Sequence, residues 1–262
     1  MKKIISLLLA LLMLTALLSG CAKEEKDLLE VIQDRGKIIV AMEGTWAPWT
    51  YHDESGKLVG FDTEIATLIA GKLGVDVEFV EGEWDGLLAG LDAGRYDIMV
   101  NGVDVTEDRR KKYDFSTPYA YNRTAVIVKS DNTSITKMED LKGKQTANTI
   151  SSTYAQVAEK YGATVTAVDD LNQTIELLLQ GRIDATLNAE VTYGDYMKAH
   201  PDAAIKVACL DGDATQVAIP VRKGAGENLV KAINDALAQL ASEGKLSELS
   251  IKYFGVDITK AQ

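Results

Sequence analysis

Apolar residues recur in short runs whose spacing alternates between that of strands and that of helices. Strands are predicted over 37–42, 75–80 and 97–100, with helices over 62–73 and 84–93 between them. Strands separated by single helices favour β-α-β units, which build a mainly parallel sheet with right-handed crossovers. The first part of the chain therefore predicts an α/β fold.

The same pattern then starts again. Further strands are predicted at 124–128, 144–148, 165–168, 183–187, 205–210 and 215–221, and further helices at 153–161, 171–180, 228–241 and 246–253. Residues 87–98 and 175–185 each read as a helix, a Gly-Arg turn and an Asp that opens a strand. Local convergence explains this similarity better than a true repeat does, yet it also suits two lobes built on similar units.

A polar segment, 101–109, follows the strand predicted at 97–100. Thr106 is a good N-cap, and the acidic residues after it suit the first turn of a helix. Arg109 presents a fixed fork of donors suited to a carboxylate, and Asp104 offers the opposite charge. The two side chains could clamp a zwitterion; equally, each could pair with neighbouring surface charges.

The N-terminus has the pattern of an export signal. Two lysines precede an apolar run over 4–18, which ends in Leu18-Ser-Gly-Cys21. A run of about 15 apolar residues is short of the roughly 20 that span a membrane, so residues 1–20 are interpreted as a signal peptide. The ending resembles a bacterial lipobox, which implies acylation of Cys21. Residues 21–36 are then expected to form a tether.

Composition narrows the function classes. The chain has 39 acidic and 28 basic residues, a formal net charge of −11, which argues against nucleic acid as a partner. With Cys21 acylated, Cys209 has no disulfide partner and is interpreted as a small core residue. His52 and His200 lack metal-ligand spacing, so neither a metal nor a cofactor is expected.

Several motifs, in order along the chain, resemble one known family. They are Glu43-Gly-Thr-Trp-Ala-Pro-Trp49, Gly56-Lys-Leu-Val-Gly-Phe-Asp62, Trp84-Asp-Gly-Leu-Leu-Ala-Gly-Leu91, Gly94-Arg-Tyr-Asp97, Val105-Thr-Glu-Asp-Arg109, Phe115-Ser-Thr-Pro-Tyr119, Leu141-Lys-Gly-Lys144, Gly181-Arg-Ile-Asp-Ala185 and Lys252-Tyr-Phe-Gly255. The chain resembles the extracytoplasmic solute-binding proteins of polar amino-acid ABC transporters. The resemblance implies a type II, periplasmic-binding-protein-like fold of two α/β lobes, each a mainly parallel sheet flanked by helices, joined by two hinge strands. Lobe one would be 37–122 plus 220–262, and lobe two 123–219.

The resemblance also implies roles for individual residues. Arg109 would bind the α-carboxylate of the ligand, and Asn101, Gly102 and Asp104 would bind its amino-acid head. Aromatic walls fall on Trp46 and Trp84, and amide donors from lobe two fall on Ser152 and Thr153.

Two positions depart from the family pattern. Asp104 stands where the family often has a small hydroxyl residue, and Ala189 stands where it often has the Asp that holds the ligand ammonium. We therefore hypothesise that Asp104 takes over the ammonium, with Glu190 as the rival partner. Glu43 could contact the ligand side chain.

The function implied is capture of a polar amino acid, with the cystine-type branch favoured by 51–56, the two tryptophans and 185–188. The protein would be extracytoplasmic, anchored to the membrane by the lipid on Cys21, and would deliver its ligand to an ABC transporter permease without catalysis. The alternative is a dehydratase of the same fold acting on a prephenate-like acid, with Glu190 or Glu43 as general acid.

Overall fold

The computed structural model describes residues 26–212 and 214–261. Its elements up to the first crossing strand are α1 (Leu28–Arg35), β1 (Lys37–Met42), β2 (Thr45–Trp46), β3 (Thr50–His52), β4 (Leu58–Val59), α2 (Phe61–Leu73), β5 (Asp76–Glu81), α3 (Trp84–Asp92), β6 (Ile98–Met99), α4 (Glu107–Lys112), β7 (Tyr113–Phe115) and β8 (Ala120–Asn122). The signal peptide and the Cys21 lipidation site expected from the sequence lie outside the described residues.

The remaining elements include one 3₁₀ turn, Met138–Leu141. They are β9 (Thr124–Lys129), β10 (Gln145–Asn148), α5 (Thr153–Lys160), β11 (Thr164–Ala167), α6 (Leu171–Leu179), β12 (Thr186–Ala189), α7 (Glu190–Ala199), β13 (Ile205–Leu210), β14 (Thr215–Val217), β15 (Pro220–Arg222), α8 (Glu227–Ser242) and α9 (Lys245–Phe254).

The first lobe contains a five-stranded sheet in the order β5-β1-β6-β15-β7. Strand β1 is parallel to both β5 and β6, whereas β15 is antiparallel to both β6 and β7. Four strands therefore point the same way and only β15 is reversed, which agrees with the mainly parallel sheet predicted from the β-α-β pattern.

The second lobe repeats this arrangement. Its central strand β9 is antiparallel to β12 and β13, while β10 and β11 are parallel to each other. A parallel bridge between Thr146 and Ala185 connects β10 with the segment that leads into β12. The reversed strand is here β9, so each sheet is mainly parallel with one reversed strand.

The reversed strands are explained by the two strands that cross between the lobes. β8 and β14 form an antiparallel pair, with Asn122 opposite Thr215. β9 directly follows β8, and β15 follows β14, so the strand reached by each crossing runs against its new neighbours. The single strand predicted over 215–221 is therefore wrong: Ala218 and Ile219 separate two strands that belong to different sheets.

The expected tether contains a helix. Asp27 accepts a hydrogen bond from the Leu29 amide at 2.9 Å and so caps α1, which ends at Gly36 with a φ of 74°. Ile32 is fully buried, because it lies on the apolar face of α1 that packs on α8. Residues 28–35 are thus part of the folded first lobe, and the tether interpretation was wrong there.

Candidate functional site

A cavity lies between the two lobes. Its walls are Glu43, Thr45, Trp46, Trp84, Gly102, Asp104, Asn148, Thr149, Ser152, Thr153, Tyr154, Asp170, Leu171, Thr174 and Asn188. Several of them follow the carboxyl ends of β1, β6 and β10, which is where open α/β sheets bind ligands.

Arg109 lies just behind this cavity rather than in its surface lining. The Thr106 hydroxyl accepts a hydrogen bond from the Arg109 amide at 3.2 Å, which confirms the predicted cap of α4. The Arg109 guanidinium carbon is 5.2 Å from the ring centre of Trp84. Its Nη1 donates to the backbone oxygen of Asp104 at 2.9 Å, and its Nη2 donates to the backbone oxygen of Ser151 at 3.3 Å.

The charge of Arg109 is buried without an acidic partner. Its side chain is only 7 % exposed, and no ion pair to it is found among the described residues. Burial lowers the pKa of Arg109, whereas the charge of Asp104 raises it. A buried guanidinium held by carbonyl oxygens and an aromatic face is well suited to an anionic group.

Asp104 occupies the junction of both lobes and the crossing strands. Its Oδ1 accepts from the Thr215 hydroxyl at 2.7 Å, and its Oδ2 accepts from the Thr153 hydroxyl. The backbone of Asp104 forms an antiparallel bridge with Val217. Burial raises the pKa of Asp104, and the hydrogen bonds from Thr153 and Thr215 oppose that shift. Arg109 binds the backbone of Asp104 and not its carboxylate, so the two charges are neither paired directly nor placed on the surface.

Asn101 is a buried supporting residue that holds Glu43. Its Nδ2 donates to Glu43 Oε2 at 2.6 Å, and its Oδ1 accepts from the Glu43 amide at 2.8 Å. Burial raises the pKa of Glu43 to about 7, although the Asn101 hydrogen bond opposes this and neighbouring carboxylates reinforce it. Glu43 therefore presents an acid to the cavity, while Asn101 does not line it.

Gly102 and Trp46 meet at close range in the cavity wall. Gly102 has a φ of 56°, and a Cβ atom there would lie 2.5 Å from the Trp46 ring, so only glycine fits. The Gly102 amide donates to the buried carboxylate of Asp62 at 2.6 Å. Trp46 in turn stacks on Trp49, with ring centres 5.2 Å apart.

Ser152 and Thr153 lie at the start of α5. Ser152 is the N-cap of this helix, and its hydroxyl accepts a hydrogen bond from the Ala155 amide at 3.1 Å. The Thr153 hydroxyl is instead used by Asp104. Both residues line the cavity at the N-terminus of α5, where backbone amides and the helix dipole favour negative charge.

Glu190 is not brought to the cavity. It is the first residue of α7, and its carboxylate is bound by Arg123 at 2.9 Å. The pair lies in a separate groove that is also lined by Tyr121 and Lys198. Of the two candidate ammonium partners, only Asp104 therefore faces the expected ligand position.

Two tryptophans, Trp46 and Trp49, donate hydrogen bonds from one lobe to the other, and of these only Trp46 was expected at the site. Trp46 Nε1 donates to Asn188 Oδ1 at 3.2 Å, and Trp49 Nε1 donates to Thr192 Oγ1 at 3.0 Å. At the cavity rim Asp85 accepts hydrogen bonds from the amide and hydroxyl of Ser151. These bonds join residues of opposite lobes, so the conformation is closed.

Sequence reasoning missed most of the walls contributed by lobe two. Asn148 ends β10, Asp170 caps α6, and Thr174 lies in the first turn of that helix. The rule that ligands lie at the carboxyl ends of parallel strands points to Asn148 from its place in the predicted strand 144–148. The same rule applies to Asn188, because it directly follows the strand predicted over 183–187; the structure places it inside β12.

Neither a metal-binding cluster nor a membrane-spanning helix is found in the part of the chain that the structure describes. No cluster of three or more His, Cys, Asp or Glu residues that could hold a metal ion is found among residues 26–212 and 214–261. None of the helices in that part of the chain is long and apolar enough to cross a membrane.

Two α/β lobes joined by two crossing strands around a polar cavity define the type II class of periplasmic binding proteins. The chain matches the bacterial extracellular solute-binding proteins, family 3, over residues 38–256, and it belongs to that family. The assignment covers nearly all of the described residues and fits an extracytoplasmic location.

Curated relatives agree with this assignment. The chain is 40 % identical over 255 residues to a probable amino-acid ABC transporter-binding protein of Haemophilus influenzae, covering 95 % of this chain and 99 % of the relative. It is 38 % identical over 238 residues to the L-cystine-binding protein TcyA of Bacillus subtilis, covering 90 % and 88 %. These relatives are named as binding proteins and not as enzymes.

A solved structure extends the comparison to the fold. An ancestral arginine-binding protein bound to arginine superposes with a TM-score of 0.79 at 37 % identity, covering 84 % of this chain and 99 % of that one. The similarity extends over almost the whole of that arginine-bound structure.

Proposed function

We propose that this protein captures a polar amino acid between its two lobes and delivers it to the permease of an ABC transporter. The observation that carries the proposal is the buried guanidinium of Arg109, which forms no ion pair among the described residues and donates to the backbone oxygen of Asp104, a residue that lines the cavity. An amino acid supplies both complementary groups, a carboxylate for Arg109 and an ammonium for Asp104.

The ligand head would lie near the start of α5. Its carboxylate would be bound by Arg109 together with the amides of Ser152 and Thr153. Its ammonium would be bound by Asp104 and the backbone of Gly102. Binding in the micromolar range requires about 8 kcal/mol. Charge-assisted hydrogen bonds of roughly 1.5–3 kcal/mol each supply that amount once the losses of association are deducted.

The ligand side chain would lie between Trp46 and Trp84 and reach Glu43. Cystine is the favoured ligand because of the cystine-type sequence features and the identity to an L-cystine-binding protein. Arginine is the second candidate, since Glu43 and Asp170 make the cavity wall acidic and a structural neighbour binds arginine.

Closure of the two lobes around the ligand produces a conformation that the permease can bind selectively. The cross-lobe contacts of Trp46, Trp49 and Asp85 exist only when the lobes are together. A ligand held from both lobes therefore favours the closed state, because it binds that state more tightly. We expect the permease to bind the liganded closed form, and the lipid on Cys21 to keep the protein at the membrane.

A thermal-shift screen of the twenty amino acids plus L-cystine tests the proposal. We expect L-cystine or L-arginine to raise the melting temperature, and alanine and glutamate to leave it unchanged.

Metabolic labelling with a fatty-acid analogue tests the anchor: wild-type protein expressed in bacteria should be labelled, and a Cys21→Ala variant should not. Turnover of a prephenate-like acid would favour the dehydratase alternative, with Glu43 as the acid in the cavity.

A further inference from the structure

We propose that Asn148 is a ligand-contacting residue whose side-chain oxygen accepts a hydrogen bond from a cationic N–H group of the bound amino acid. The inference rests on the proposed function and adds a specificity-determining group from lobe two. The position of Asn148 at the end of β10 places it near the ligand, but the sequence motifs do not assign this hydrogen-bonding role to it.

The Asn148 carboxamide is held in one orientation. Asn148 is the last residue of β10, is 3 % exposed and lines the cavity. Its Nδ2 donates to the backbone oxygen of Leu187 at 2.7 Å. Rotating the amide by half a turn would place two carbonyl oxygens in contact, so the hydrogen bond determines which end is the oxygen.

The Oδ1 atom of Asn148 is left without a donor. Among the described residues it is one of the few buried side-chain oxygens with no hydrogen-bond partner. A buried acceptor in this condition is destabilising, and such groups in native proteins call for an explanation. Because Asn148 lines the cavity, a ligand can satisfy its oxygen.

The surrounding charges determine which kind of ligand group fits. The carboxylates of Asp104 and Asp170 share the cavity with Asn148. Nearby Asn188 already uses its Oδ1 to accept from Trp46 and from the Ala189 amide. A ligand group among these acceptors must donate and is favoured if it is positive. Ammonium and guanidinium groups meet both conditions, so the ligand class is an amino acid that presents such a group to lobe two.

Isothermal titration of L-cystine and L-arginine into matched variants tests this role. Asn148→Leu removes the acceptor at similar volume and should raise the dissociation constant of the better ligand about tenfold or more. Thr146→Val is the control: Thr146 is on the same strand and has a buried oxygen without a partner, but it does not line the cavity. This variant should leave the dissociation constant within twofold of wild type.

An Asn148→Asp variant separates loss of the acceptor from loss of structure. At pH 5.5 the new carboxyl group, when protonated, could donate to the Leu187 oxygen and still accept from the ligand, so the affinity of this variant should stay within about threefold of wild type at that pH. Equal weakening by Asn148→Asp and Asn148→Leu would overturn the inference, and so would unchanged binding by Asn148→Leu. Wild-type protein that binds neither amino acid would overturn the proposed function as well, which the first titration shows.

Discussion

The carboxylate of Asp104 accepts a hydrogen bond from the hydroxyl of Thr153, and this contact crosses the cavity from the loop after β6 to the start of α5. The same carboxylate accepts from Thr215 on the crossing strand β14. One acid thus touches lobe one, lobe two and the hinge. If it also binds the ligand ammonium, ligand binding and lobe closure depend on the same group.

Replacing Asp104 by Asn removes the charge but keeps the shape. We expect the dissociation constant of the amino-acid ligand to rise at least tenfold, because the ammonium loses a charge-assisted hydrogen bond. Isothermal titration measures this change. Glu190→Gln is the matched control, since Glu190 pairs with Arg123 outside the cavity, and it should leave the affinity unchanged. Unchanged affinity in Asp104→Asn would exclude Asp104 as the ammonium partner.

Arg109→Lys keeps the positive charge but loses the planar fork of donors. The lysine ammonium has three N–H donors. It cannot bond the backbone oxygens of Asp104 and Ser151 and also present two N–H groups to a carboxylate. We expect affinity to fall roughly 10- to 150-fold, the equivalent of about 1.5–3 kcal/mol. Arg110→Lys, at the exposed neighbouring position, is the control. Equal affinity of both variants and wild type would rule out the carboxylate role of Arg109.

Thr192→Val tests the contribution of Trp49 to closure. The substitution removes the acceptor of the Trp49 Nε1 hydrogen bond, so the indole N–H is unpaired only in the closed state. We expect a roughly two- to tenfold weaker affinity and a larger radius of gyration of the ligand-free protein in small-angle X-ray scattering. Thr186→Val is the control, because the buried hydroxyl of Thr186 bonds Ala147 within lobe two. A similar expansion in both variants would contradict the role of Trp49.

Asp62 should make stability depend on pH. Burial raises its pKa to about 7, although hydrogen bonds from Tyr119 and Gly102 oppose this. Between about pH 4 and 7 the unfolded chain loses the Asp62 proton while the folded chain keeps it, so stability falls as pH rises. Asp62→Asn should flatten that fall in melting temperature, measured by circular dichroism. The exposed Glu54→Gln should not, and an unaltered slope in Asp62→Asn would contradict the burial argument.

Much of the fold follows from local patterns. Each predicted helix is found with its ends within one residue, because apolar positions recur at helical spacing in segments such as 62–73 and 228–241. Thr106 was predictable as a cap, since cap geometry depends on neighbours in sequence. The positions of these helices and of this cap are determined by residues close together in the sequence, so one sequence is enough to predict them.

The remaining features depend on tertiary partners. Ser152 and Thr153 are both residue types that cap helices. The Thr153 hydroxyl donates to Asp104, and the Ser152 hydroxyl accepts from the Ala155 amide, so Ser152 is the cap. The sequence allows Glu190 as a ligand acid, but in the fold its carboxylate pairs with Arg123 instead. Trp49 has no local signal for a cross-lobe bond to Thr192, because 143 residues separate them.

The most direct test of the central claim, that the cavity binds an amino acid through Arg109, is isothermal titration of L-cystine and L-arginine into wild-type protein and Arg109→Lys. We predict saturable binding of one molecule per chain by wild type, with a dissociation constant of about 1 μM or tighter, and at least tenfold weaker binding by the variant. Saturable binding of equal strength in both proteins would contradict the claim, as would the absence of any amino-acid binding by wild type.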